Sequence, residues 1–340
     1  MRAATFTAAA CALLAVPGAP TAVVAQAAAP VVPTQEWTVP WEKSRPRDPA
    51  VDPQGRIFFV GQVGNYLARL DPRTGEFEKF TIDAGTMPHN VVVDRKGFAW
   101  YSGNMNGMIG RLDPATGAIT RYPMPDPAAK DPHTLVFDSA GDLWFTVQNS
   151  NFVGKLTTAT GKVQLLPMPT PRSRPYGIVV DPRGRPWFCL FGTNKIGTVD
   201  PLTMAVTEMV KPDSTYRPRR IAMTSDGKVW TVDYMGGKLV SYDPRTREWK
   251  EWASPLGRAA LPYAMTVDDK DRLWWVETGK QPNRLVGFDP ATGQVMSVTE
   301  VKSGGGTIRH MVFDRATGMI WFGTDNNTIG KAAVSPKPIS

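Results

Sequence analysis

Residues Asp138-Ser139-Ala140-Gly141-Asp142-Leu143-Trp144-Phe145 spell an acidic turn closed by glycine and followed at once by an aromatic strand, and the phrase recurs along the whole chain. Further copies start at Asp52, Asp94, Asp181, Thr224 and Asp268, and a last one, Asp314 to Phe322, carries one extra residue in its turn. Seven copies at a period of about 43 residues mark a repeat architecture. Each repeat divides into four short strands. An apolar run such as Val91-Val92-Val93 precedes the turn, the aromatic strand follows it, and a third strand such as Met108 to Leu112 comes next. A second turn, as in Asp113-Pro114-Ala115-Thr116-Gly117, then delivers a fourth strand, Ala118 to Tyr122. Asp-Pro opens such turns with φ preset, and glycine supplies the positive-φ corner. Four-stranded units at this spacing predict an all-β, seven-bladed β-propeller of antiparallel blades. The last copy stops after Thr328 to Val334, its third strand, while Gln35-Glu36-Trp37-Thr38 resembles a fourth strand. The N-terminal segment is therefore expected to complete the seventh blade and remove the open edges.

Outside the repeats, Met1 and Arg2 precede an uncharged apolar stretch, Ala3 to Val16, and an Ala25-Gln26-Ala27 pattern. That order predicts a signal peptide over 1–27, with cleavage after Ala27 and a periplasmic or secreted destination. A linker over 28–34, a single propeller domain over 35–335 and a tail over 336–340 follow. The apolar stretch is shorter than the roughly 20 residues a spanning helix needs, and no later one is longer, so no transmembrane segment is expected after the signal is removed. Only Cys189 survives that removal, which leaves a chain without disulfides that must be stabilised by burial alone, with Cys189 as a buried filler of an apolar strand. The formal charge of +8 comes from Lys and Arg spread along the chain rather than gathered in runs. That pattern argues against a nucleic-acid partner and, at most, for a preference for anionic small molecules or surfaces; a monomer is expected.

The chain has three histidines, His89, His133 and His310, and all three stand at the same place in their repeats, just ahead of the first strand. Equivalent places hold Arg47, Tyr176, Arg219 and Tyr263. The first strand of a propeller blade is innermost, so these seven side chains are expected to ring one mouth of the central channel. Burying Arg and His together without partners is costly, which points to a bound anion, metal or water, or to a hydrogen-bonded collar. The end of the second strand faces the same mouth. There the last three blades carry Asp233, Glu277 and Asp325, where the first four have Gly61, Gly103, Val147 and Leu190. Carboxylates gathered on one side suit Mg²⁺, with Ca²⁺ as the alternative, although Asp233 and Glu277 could instead pair with Arg219 or another nearby cation.

The tryptophans that open the second strand in six blades (Trp100, Trp144, Trp187, Trp230, Trp274 and Trp321, with Phe58 in the first) are expected to pack between blades. No nucleophile elbow, Walker loop, His-Glu-x-x-His or haem-attachment motif is present. Ser303-Gly304-Gly305-Gly306-Thr307 precedes no helix and is expected to be a flexible approach to the seventh blade rather than a phosphate loop.

The Pro-[His/Tyr/Arg] pairs ahead of strand one, the Leu143-Trp144-Phe145-Thr146 strand, and Asn194-Lys195-Ile196-Gly197 or Thr328-Ile329-Gly330-Lys331 in strand three resemble the virginiamycin B lyase (streptogramin lyase) family across roughly residues 35–335. The resemblance implies ring opening of a cyclic depsipeptide by elimination at its ester, with Mg²⁺ stabilising the enolate-like charge while a base removes the α-proton. It implies that His310 is the base or acid and that Asp325 stands where the family has a glutamate ligand. Two family positions differ: Tyr263 replaces a histidine, and Ile308 replaces a glutamate. Glu277 is a substitute ligand on this reading, and Tyr263 a proton donor. Two functions therefore compete: a metal-dependent carbon–oxygen lyase acting on a cyclic ester, and a non-catalytic propeller binding a small anionic ligand or partner protein. A six-bladed gluconolactonase-type hydrolase is disfavoured by the count of seven repeats.

Overall fold

The aspartate-led turns seen in the sequence close by one recurring device. Asp138 accepts from the Asp142 amide through one carboxylate oxygen (3.0 Å) and from Trp144 Nε1 through the other (3.1 Å). Asp94 does the same for Phe98 and Trp100, Asp181 for Arg185 and Trp187, and Asp268 for Arg272 and Trp274. One side chain thus fixes the turn and pins the tryptophan, which explains why acid and indole recur six residues apart. In the last copy the extra turn residue places Asp314 out of reach, and Trp321 Nε1 has no partner among the described residues. Trp321 stacks on Trp37 instead, with ring centroids 5.7 Å apart.

The computed structural model describes residue 1, residues 30–335 and residue 337. The expected signal peptide, its cleavage point and most of the tail lie outside the described residues. Twenty-eight strands, numbered β1–β28 in chain order, form seven four-stranded antiparallel sheets. Six sheets are simple meanders. The seventh runs β1-β28-β27-β26, where β1 (Thr34–Thr38) pairs with β28 (Thr328–Ala333) from Thr34↔Ala332 to Thr38↔Thr328. The ring is therefore closed by the N-terminal strand, as the sequence led one to expect. One short 3-10 turn, Gly257–Ala260, interrupts the all-β pattern.

The apolar side chains fall into seven clusters, one at each interface between neighbouring blades. A blade buries both faces, so its strands are continuously apolar rather than alternating. Strand three approaches strand two closely enough to require glycine. A Cβ on Gly154 would lie 2.2 Å from the Phe145 ring, and one on Gly197 2.2 Å from the Phe188 ring. The repeated Ile-Gly of strand three is the imprint of that contact. Cys189 is buried in the cluster between blades four and five, where burial pushes its thiol pKa up.

Candidate active site

The inner strands carry a bulge at one common position. In β2 (Pro46–Val51) the pairing with β3 (Ile57–Gly61) shifts between Arg47 and Ala50. Equivalent shifts follow Pro88, Pro132, Pro175, Pro218 and Pro262. A bulge adds an unpaired residue and re-aims its side chain. In these six blades two successive residues consequently turn to the channel and form two layers, whereas the inner strand of blade seven pairs without a shift.

The outer layer is the expected ring. Arg47, His89, His133, Tyr176 and Tyr263 are buried, and Arg219 and His310 are partly exposed. The imidazoles of His89 and His133 lie 3.6 Å apart, and His133 lies 4.1 Å from the Tyr176 ring. The hydroxyls of Tyr176 and Tyr263 are hydrogen-bonded across the mouth. The Arg219 guanidinium lies 3.6 Å over the Tyr263 ring and 4.2 Å over Tyr234. Hydroxyls on strand two hold the bulged backbone: Ser102 donates to the His133 carbonyl (2.9 Å) and Thr146 to the Tyr176 carbonyl (2.7 Å).

The inner layer was missed by counting one channel residue per blade. Asp48, fully buried, accepts from Arg47 Nε (3.0 Å), Asn90 Nδ2 (3.0 Å) and Arg220 Nη2 (3.3 Å). Arg220 also donates to Thr134 Oγ1 (3.1 Å) and the Arg309 carbonyl (2.9 Å). These residues join blades one, two, three, five and seven and form the floor of the mouth. The signal was present in the sequence as a second polar residue after four of the seven site residues: Arg47-Asp48, His89-Asn90, His133-Thr134 and Arg219-Arg220.

Electrostatics follow from this crowding. Burial, Arg47 and His133 hold His89 well below the ordinary histidine range; burial, Arg220 and Arg47 do the same to His133. His310 is brought down to about 4 by burial and Arg220, against the opposing pull of Asp48. The three imidazoles are therefore neutral at pH 7, and the positive charge resides on the arginines. Desolvation opposes ionisation of Asp48, but Arg47 and Arg220 outweigh it and keep its carboxyl well below the usual range. Arg45, Arg174 and Arg217 stand directly ahead of the inner strands of blades one, four and five, and in blade seven Arg309 takes the place that proline holds in the others. Arg45 and Arg174 hold φ at 50° and 54°, a left-handed backbone that costs energy in a residue other than glycine.

The three candidate metal ligands do not share a site. Glu277 accepts from Ser254 Oγ (2.7 Å), the Leu256 amide (2.9 Å) and Arg284 Nε (2.8 Å). Asp233 accepts from the amides of Arg217 and Gly236, both at 3.0 Å, and so serves its own loop. Asp325 is out of register with both. Asp233 and Glu277 follow their blade tryptophans by three residues, which in blade seven is buried Thr324, whereas Asp325 comes one place later. Asp233 and Glu277 end their strands, whereas Asp325 lies beyond the end of β27 (Met319–Gly323), in the turn that leads to β28. Asp325 pairs with Arg309 and lies 3.6 Å from Arg45. Among the described residues no three His, Cys, Asp or Glu side chains gather closely enough to hold a metal ion. Ile308 is buried in the core between blades six and seven. The set of oxygen ligands anticipated for Mg²⁺ or Ca²⁺ is thus not assembled by Asp325, Glu277 and Asp233 as they stand. The glycine run beside them, expected to be flexible, is tied down: Gly305 accepts from the Asp325 amide (3.0 Å), and Asn283 accepts from the Ile308 amide (3.2 Å).

What the mouth does offer is unpaired polarity. Arg47 Nη2, His89 Nδ1, His133 Nε2, Arg219 Nε and His310 Nδ1 are buried atoms with no partner among the described residues. Each such atom costs about 1–3 kcal/mol when left unsatisfied. A second cleft, about 1160 Å³, lies away from the mouth between the turns of blades four to six. Arginines and aspartates alternate there, among them Arg185 and Asp181, and Asp271 accepts from Ser225. Among the described residues that cleft has no orphaned buried atom, so the channel mouth is the better site.

Residues 31–241 match the sequence model of the Virginiamycin B lyase family. No curated protein matches the chain. A streptogramin B lyase structure is 25% identical, with 88% of this chain and 96% of that one covered and a TM-score of 0.79. A virginiamycin B lyase from Staphylococcus aureus is 23% identical, with 88% and 98% covered and a TM-score of 0.80. A hydrazine synthase chain from Kuenenia stuttgartiensis shares the fold at 13% identity, with 87% and 97% covered and a TM-score of 0.72.

Proposed function

The chain belongs to the virginiamycin B lyase family, and on that premise we propose that it takes a small carboxylate-bearing molecule at the mouth of its channel. The observation that carries this reading is the group of five orphaned buried atoms on Arg47, His89, His133, Arg219 and His310. Two of them belong to guanidinium groups, whose planar fork matches a carboxylate. Asp48 is already engaged by Arg47, Arg220 and Asn90, so the outer layer keeps a surplus of positive charge. The neutral imidazoles can each donate through one ring nitrogen and accept through the other, which orients a ligand without adding repulsion. Export fits the same picture through the Met1–Ala27 leader pattern.

A second reading, elimination across a carbon–oxygen bond, is favoured by the Tyr176–Tyr263 pair beside the guanidinium groups. In that chemistry Arg47 and Arg219 neutralise the charge that develops on the substrate carboxylate as its α-proton leaves. A calorimetric titration with succinate, inorganic phosphate and MgCl2 in turn tests the binding reading. Succinate binding that survives EDTA supports it; Mg²⁺ binding at the mouth without any anion binding contradicts it.

A further inference from the structure

We propose that Tyr176 and Tyr263 share a single proton and act together as the base and the acid of the site, so that the carboxylate ligand of the preceding reading is one with an oxygen leaving group on its β-carbon. The two hydroxyls come from blades four and six and meet across the mouth, a contact that no backbone ladder requires. Three further blades supply the groups that surround them. Tyr176 faces His133, Arg219, Arg220, Arg47 and Tyr263; Tyr263 faces Tyr176, Tyr234, Arg219, Arg220 and Arg47. Three guanidinium groups thus face two phenols, while the nearby carboxylate of Asp48 is neutralised by Arg47 and Arg220. Against these three guanidinium charges, Asp48 and one negative charge on the phenol pair leave a single positive charge to meet the ligand's carboxylate.

Titration behaviour agrees with the geometry. Burial pushes both phenols up, yet at Tyr176 the guanidinium groups of Arg219, Arg220 and Arg47 outweigh it and lower the pKa from its ordinary 10, while Tyr263 is raised to about 12 by burial and its partner. Coupled groups of this kind release protons as a pair. His310, at about 4, is by comparison a weak base. It is better suited to a hydrogen bond with the ligand than to the base role the family resemblance implied.

The step balances without an external acid or base. The Tyr176 phenolate takes the proton from the carbon α to the carboxylate. The released electron pair forms the carbon–carbon double bond, and the bond from the β-carbon to oxygen breaks. The leaving oxygen takes the proton that the pair had shared, and the pair again holds one proton. The products are an unsaturated carboxylate and an alcohol or acid.

Ultraviolet difference spectroscopy of the full chain across a pH titration tests this directly, because tyrosinate absorbs apart from tyrosine. One of the eight tyrosines is expected to ionise well below the others. That early step is expected to vanish in Tyr176→Phe and to persist in the outlying Tyr122→Phe. Arg219→Ala, at a partly exposed residue, is expected to move it up by about one pH unit. A folded wild type in which all tyrosines ionise at or above the ordinary range overturns the shared proton, whatever the variants do. If succinate binds in that case, the anion reading stands and only the tyrosine assignment fails. If the early ionisation is present and succinate does not bind, the anion reading fails and the shared proton stands.

Discussion

Arg220 Nη2 lies 3.3 Å from Asp48 Oδ2, a buried ion pair that crosses the channel from blade five to blade one. Removing one partner strands the other charge in a desolvated place, which typically costs about 3–5 kcal/mol. Arg220→Ala and Asp48→Ala are each expected to lower the unfolding free energy by that amount in urea titrations. The double variant is expected to cost less than the sum of the two, because neither charge is then left alone.

The histidines give stability a defined acid limit. Their folded values lie below the ordinary 6.5, with His310 at about 4, so the unfolded chain binds more protons than the fold between those limits. Stability is complete above pH 6.5 and is lost as pH falls toward 4, by an amount on the order of 3 kcal/mol from His310 alone. Asp48, whose folded value is depressed, contributes stability that fades only below its unfolded value of 3.8, so the two effects occupy separate windows. Thermal melts at pH 7.5 and pH 5 are expected to differ, and His310→Asn should reduce that difference.

Arg219 donates from a partly exposed position, and its Nε has no partner among the described residues. A hydrogen bond to a charged group contributes about 1.5–3 kcal/mol. Arg219→Ala is therefore expected to weaken succinate binding by roughly 10- to 100-fold, read by calorimetry.

Asp325 separates the two readings of the site. As a metal ligand, its loss would abolish binding. As the partner of Arg309 and a neighbour of Arg45, its loss frees two cations at the rim. Asp325→Asn is expected to tighten succinate binding by about threefold, the scale of a partly exposed ion pair, at low ionic strength.

The ring and its closure were legible because they rest on local chemistry repeated seven times. Asp138 fixes its turn and holds Trp144 through contacts six residues apart, so both ends of the interaction lie within one repeat. The channel-facing position of Arg47, His89 and His133 was legible for the same reason. The second layer was not. Asp48 and Arg220 face the channel only because the inner strand bulges, and a bulge breaks the alternation from which facing is inferred. The candidate metal cluster failed on register. Trp321 precedes Thr324 by three residues, and the extra residue in the Asp314 turn hid the fact that Asp325 is one place too far along. Glu277 was correctly placed on its strand, but its partner Arg284 lies on the next strand of the same blade, a pairing that a comparison between repeats does not reveal.

The chain's three histidines all stand at the proposed site, which makes their rings reporters of that site alone. Magnetic resonance of the chain labelled in its histidine side chains should give three imidazole signals, neutral at pH 7. Adding succinate at low salt, with EDTA present, is expected to shift all three in the wild type and to leave them in place in the Arg47→Ala, Arg219→Ala double variant. Three signals that ignore succinate but respond to Mg²⁺ would contradict an anion-binding mouth.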